Sequence, residues 1–78
     1  MTAGVAAEFT EAELLPVLAK YVACDWGVTH PADWGQNDQA VALANDRIVA
    51  KYVVREHELF VITEADRSYT TILFPAEY

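Results

Sequence analysis

The chain has 78 residues, enough for one small domain and too few for a second. Twelve acidic residues against five Lys and Arg give a formal net charge of −7, the wrong sign for a protein that displaces counterions from phosphate. With 54% hydrophobic residues and only three Gly and three Pro, it is no disordered acidic tail either.

The first nine residues are small and weakly patterned and read as a loose N-terminal arm. At Thr10 a helix start appears, because Thr10 followed three residues later by Glu13 fits a capping box. Phe9 and Leu14 are placed to form the accompanying hydrophobic staple. Leu14, Leu15, Leu18, Tyr21 and Val22 follow the helical period. Pro16 conflicts with a helix that starts at Glu11, so the spacing predicts a start nearer Glu13 or a bend at the proline. Cys24-Asp25-Trp26-Gly27 ends this helix, with Gly27 able to take a positive φ.

A second helix is expected after Thr29-His30-Pro31, with Pro31 in its first turn and Asp33 near its N-terminal dipole. Trp34, Ala40, Val41 and Leu43 supply apolar positions, Gly35 weakens the helix, and Asn45-Asp46 stops it. From Arg47 the period changes to two, and Ile48, Ala50, Tyr52 and Val54 define one apolar face of a strand. Arg55-Glu56-His57-Glu58 reads as a hairpin connection without the usual Asn-Gly signal. Leu59 to Thr63 is a second strand and Tyr69 to Phe74 a third, stopped by Pro75. Between them Glu64–Ser68 forms a turn in which Asp66 can bond its own backbone. Two helices followed by a three-stranded antiparallel meander make an α+β domain, with the helices over one sheet face.

Few residues are arranged for chemistry. Cys24 is the only thiol, six residues from His30, and is more readily a small buried hydrophobe at a helix end than a nucleophile. One cysteine makes no internal disulfide, which points to the cytoplasm. The opening residues lack the basic and apolar regions of a signal peptide, and no apolar run approaches the roughly 20 residues of a membrane span. His30 and His57, with Asp33 or Glu58, lack the spacing of a known zinc site, and no metal or cofactor is expected. Arg67 is either a partner contact or anion clamp, or a turn residue paired with Glu64 or Asp66. Trp26 and Trp34, each followed by glycine, either cover the core or present an indole to a partner. A core this small often gains from oligomerisation, so a homodimer is a candidate assembly.

The charge is unevenly spread. Residues 1–46 carry a net −6, with Lys20 the only basic residue among them, whereas residues 47–78 carry −1. A one-signed surface attracts a basic partner and speeds encounter with it, though net charge also simply keeps a small protein soluble.

The stretch LAKYVACDWG, a following Asn-Asp pair, Arg47-Ile48 and above all VITEADRSYTTILFPAEY resemble a family of small bacterial proteins carried on plasmids, phages and other mobile elements. Its members are often labelled plasmid-related protein or, loosely, type I restriction endonuclease subunit M. The resemblance covers about Leu14 to Tyr78, and the C-terminal pattern ITE-x-DRS-x-TT-x-L-x-P-x-EY is its specific part. Two departures stand out: the family's glycine in the hairpin before the ITE strand is missing, and Asp33-Trp34-Gly35 replaces a usually charged helical stretch. A methyltransferase is too large for this chain, which also lacks a glycine-rich cofactor loop.

Some proteins similar to this one belong among the anti-CRISPR proteins directed at type I-C surveillance complexes (Cascade). That resemblance implies a non-enzymatic inhibitor that docks on Lys- and Arg-rich surfaces and blocks target DNA, without binding nucleic acid or membrane itself. Under it, Glu11, Glu13, Asp25, Asp33 and Asp38 are the expected partner-binding carboxylates, with Trp26 or Trp34 as anchor. The alternative is an accessory protein of a plasmid or restriction-modification system that binds a partner protein without inhibiting it.

Overall fold

The computed structural model describes residues 1–44 and 46–78. Its longest amphipathic helix, α2 (Glu11–Val22), opens with the full capping box. Thr10 Oγ1 accepts from the Glu13 N–H at 3.3 Å, and Glu13 Oε1 accepts from the Thr10 N–H at 3.0 Å. The helix therefore begins at Glu11, earlier than the start nearer Glu13 that was one of the two expectations, and runs through Pro16. An interior proline costs about 3 kcal/mol. The cap, together with the burial of Leu14 and Val17 on either side of Pro16, offsets that cost. Phe9 joins Leu14 in the core, so both members of the expected staple are buried.

The end of α2 is a Schellman motif. The Asp25 N–H reaches Lys20 O at 2.9 Å and the Cys24 N–H reaches Tyr21 O at 3.1 Å. Cys24 takes the left-handed position, φ +62°, where the sequence pointed to Gly27. Gly27 also has a positive φ, for a different reason. It bridges to Lys51 so closely that a Cβ would lie 2.5 Å from the Tyr52 ring and 2.6 Å from the Lys51 carbonyl.

The expected loose arm is instead a helix, α1 (Ala3–Glu8). Thr2 caps it, and Val5 and Phe9 are buried against the rest of the molecule. Three helices thus precede the sheet, where two were expected. Helix α3 (Pro31–Leu43) has His30 as its N-cap, Nδ1 accepting from the Ala32 N–H at 3.2 Å, and Pro31 at its first position. It ends in a left-handed Ala44, before Asp46; of the predicted stop, Asn45 lies outside the described residues. Ala40 is buried and Trp34 half-buried, as their spacing implies, but Val41 and Leu43 are exposed. The remaining buried position on α3 is polar: Asn37.

The sheet is an antiparallel meander, β1 (Ile48–Val54), β2 (His57–Thr63) and β3 (Thr70–Leu73), in the order β1-β2-β3. The first connection is tighter than the sequence indicated. Val54 pairs with His57, which leaves a two-residue turn, and Arg55 and Glu56 both have positive φ, the type I′ signature, without a glycine. In the second turn Asp66 Oδ1 accepts from the Ser68 N–H at 2.9 Å, as read from the sequence. Ile48, Ala50, Tyr52, Leu59, Val61 and Ile72 face the helices and form the core. On the opposite face Tyr78 packs edge-on to Phe60, and Arg47 lies over the Tyr78 ring. Among the described residues no helix is long and apolar enough to cross a membrane.

Candidate partner-binding surface

The carboxylates singled out in the sequence divide into free and committed groups. Glu11 stands exposed in the first turn of α2 and Asp33 exposed in the first turn of α3. Neither side chain has a hydrogen-bond or ion-pair partner among the described residues, and each sits where the helix dipole favours an anion. Asp25 is exposed but shared, since Oδ1 accepts from the Gly27 N–H at 3.1 Å and its carbonyl accepts from the Tyr52 hydroxyl at 2.7 Å. Burial raises the Tyr52 phenol well above its ordinary pKa, so it stays a donor to that carbonyl.

Glu13 and Asp38 are structural. Glu13 closes the capping box and also receives Arg55 Nε. The Thr10 backbone hydrogen bond, helped by Arg55, holds its carboxyl below the usual glutamate value. Asp38 Oδ1 accepts from the indole N–H of Trp26 at 2.9 Å. Trp26 is 1% exposed, which rules it out as a surface anchor and makes it the largest fully buried side chain. A buried indole needs an acceptor, and Asp38 is that acceptor. Trp34 is half-buried against the core cluster. Asp33 and Asp38, five residues apart, project about 140° from each other around α3.

The cations are mostly consumed inside the molecule. Arg55 lies over the Phe9 ring, donates to the Glu8 carbonyl at 2.6 Å, and pairs with Glu13 and, at 3.7 Å, with Glu8. Lys51 lies 4.0 Å from Glu58 and over Phe60. Arg67 is a turn residue that meets Glu64, but through carbonyl oxygens rather than the carboxylates expected. Its guanidinium donates to Ala40 O at 2.7 Å, Asp46 O at 2.6 Å and Glu64 O at 3.2 Å. It thereby ties the last turn of α3 to the β2–β3 turn. Among the described residues, Glu11 at the start of α2 and Asp33 at the start of α3 are the singled-out carboxylates left without a partner.

Two side chains essential to this arrangement escaped the sequence reading. Asn37 makes a pair of hydrogen bonds to the edge of β1, donating to Val49 O at 2.7 Å and accepting from the Val49 N–H at 3.2 Å. Its signal was its place: Trp34, Asn37 and Ala40 recur every three residues, so Asn37 falls on the inward stripe. Thr29 donates to Trp26 O and accepts from the Lys51 N–H at 2.8 Å, holding the α2–α3 connection to the same edge. Cys24 is half-buried at the end of α2, while the Nδ1 of His30 is taken up in capping α3. Among the described residues no three His, Cys, Asp or Glu side chains group closely enough to hold a metal ion. Comparison with protein-family models, with curated proteins and with solved structures gives no match.

Proposed function

We propose that this protein is a non-enzymatic, acidic inhibitor of a bacterial nucleic-acid defence complex. Its target in this reading is a type I-C CRISPR surveillance complex, whose Lys- and Arg-rich DNA path it covers. The observation that carries the reading is the imbalance of spent charge. Arg47, Lys51, Arg55 and Arg67 are engaged by rings, carboxylates or carbonyls and leave Lys20 as the unpaired cation among the described residues, whereas Glu11 and Asp33 project into solvent without a partner among them. A surface of that kind competes with phosphate for a basic groove and needs no covalent step. The C-terminal ITE-x-DRS pattern supplies the choice of system.

The test is retention of the surveillance complex on the immobilised protein from cells that carry it, at low and at high salt. Retention should fall as salt rises, and binding of target DNA to the complex should fall as the protein is added. The double variant Glu11→Lys with Asp33→Lys should keep its circular dichroism spectrum and lose retention by at least about fivefold. No retention at low salt, with phage protection unaffected, overturns the reading. Retention without loss of DNA binding selects the accessory-protein alternative. A variant that binds as well as the parent means that the acid serves solubility alone.

A further inference from the structure

The outer edge of β1 is covered unevenly. Because Val54 and His57 close a two-residue turn, Ile48, Ala50, Tyr52 and Val54 direct their N–H and C=O groups to β2. Val49, Lys51 and Val53 direct theirs outward. The Val49 pair is taken by the Asn37 side chain, and the Lys51 pair by Thr29 Oγ1 and by the Val28 N–H at 2.9 Å. The Val53 N–H and C=O have no partner among the described residues.

That open peptide group forms one wall of a groove of about 410 Å³ between α2 and β1. Pro16 and Val17 line the helix side, Tyr52 and Val53 the strand side, and Val28 of the α2–α3 connection lines it as well. Val28 and Val53 are 55% and 52% exposed, so apolar surface is offered beside unpaired backbone. Pro16 has no N–H, so the Ala12 carbonyl one turn earlier also lacks its usual helical donor. The groove offers one unpaired cation. Of its three charged residues, Glu13 and Arg55 neutralise each other, and Lys20 has no ion-pair partner among the described residues. The same edge already accepts added backbone, since the 27–28 loop pairs with Lys51 in the parallel sense.

We infer that this groove binds an extended acidic segment of a partner protein, added as a further strand on β1 at Val53. The partner's backbone pairs with the Val53 N–H and C=O, an apolar side chain fills the space between Pro16, Val17 and Val28, and a carboxylate meets Lys20. This site lies apart from Glu11 and Asp33 and selects the opposite charge, so it stands whether or not the proposed inhibition holds.

The probe is the short peptide acetyl-Thr-Val-Glu-Val-Thr-amide, titrated into ¹⁵N-labelled protein and compared with its Glu-to-Lys counterpart. Shift changes should map to Lys20, Val28 and Val53, and amide exchange at Val53 should slow. The Glu peptide should bind about two- to fivefold more tightly than the Lys peptide, a difference that Lys20→Gln removes. Val53→Pro deletes the outward N–H without touching the β2 ladder, so a dispersed spectrum is retained while peptide affinity falls about tenfold. Absence of shifts at millimolar peptide, shifts confined to other surfaces, or equal binding of both peptides overturns the inference. A Val53 shift that depends on protein concentration without peptide assigns the edge to a second copy and also overturns it.

Discussion

Helices α2 and α3 lie on the same side of the sheet and are held there by different forces. Helix α2 carries a compact apolar stripe, buries Leu14 and Val17, and starts on its own local cap. Helix α3 buries only Asn37 and Ala40 outright, leaves Val41 and Leu43 in solvent, and is fastened by side-chain hydrogen bonds. Asn37 holds its middle to β1, Asp38 holds it to Trp26, and Arg67 holds its last turn. A helix with a weak apolar pattern can thus dock through polar ties, provided that they meet donors and acceptors with no other partner. The cost is position-specific: burial tolerates related residues, and hydrogen-bond geometry does not.

Substitutions separate the two modes. The largest effect is expected at Leu14→Ala, which should cost about 2–5 kcal/mol in denaturant unfolding, while Leu15→Ala, 62% exposed on the same helix, should change little. Next comes Asn37→Ala. It strands the outward N–H and C=O of Val49 and should cost about 1–3 kcal/mol, with faster exchange of the Val49 amide as its local signature. Equal exchange in variant and parent would falsify the idea that Asn37 fastens α3 to β1. Thr10→Ala should cost about 1 kcal/mol, because it removes the cap of α2 and leaves α3 untouched.

The smallest effect is in pH. Glu13 has its pKa lowered by folding, so its charged form stabilises the native state above the ordinary glutamate pKa. That contribution is lost as pH falls through the lower, folded value. In parallel acid titrations Glu13→Gln should show a shallower loss of stability below about pH 4.3 than the parent. An unchanged slope would show that the Thr10 and Arg55 contacts do not persist in solution.

The local parts of the fold were plain in the sequence. Thr10 and Glu13 announce a helix start, the alternation from Ile48 to Val54 announces a strand, and Asp66 announces its turn. All three rest on neighbours in the chain. Helix α1 was hidden, because six residues do not make a helix alone and its support comes from Val5 in the core and Ile72 on β3. Arg55 and Glu56 gave no sign of a type I′ turn, since the strands on either side impose a conformation that the residues themselves disfavour. The acidic surface was legible only in part. Glu11 and Asp33 are as exposed as charge implies, but nothing local shows that Asp38 accepts from a buried indole twelve residues earlier, or that Glu13 meets Arg55.

The anchoring of α1 also bears on how the chain is made. The Thr2 N–H bonds to Ile72 O at 3.0 Å, and the Thr2 hydroxyl to Glu77 at 2.8 Å. Helix α1 therefore emerges well before β3, the strand whose edge its N-cap binds. Until β3 follows, the core cluster that Val5 and Phe9 share with Ile72 stays incomplete. In a nascent chain, the docking of α1 waits on β3, the last strand of the sheet.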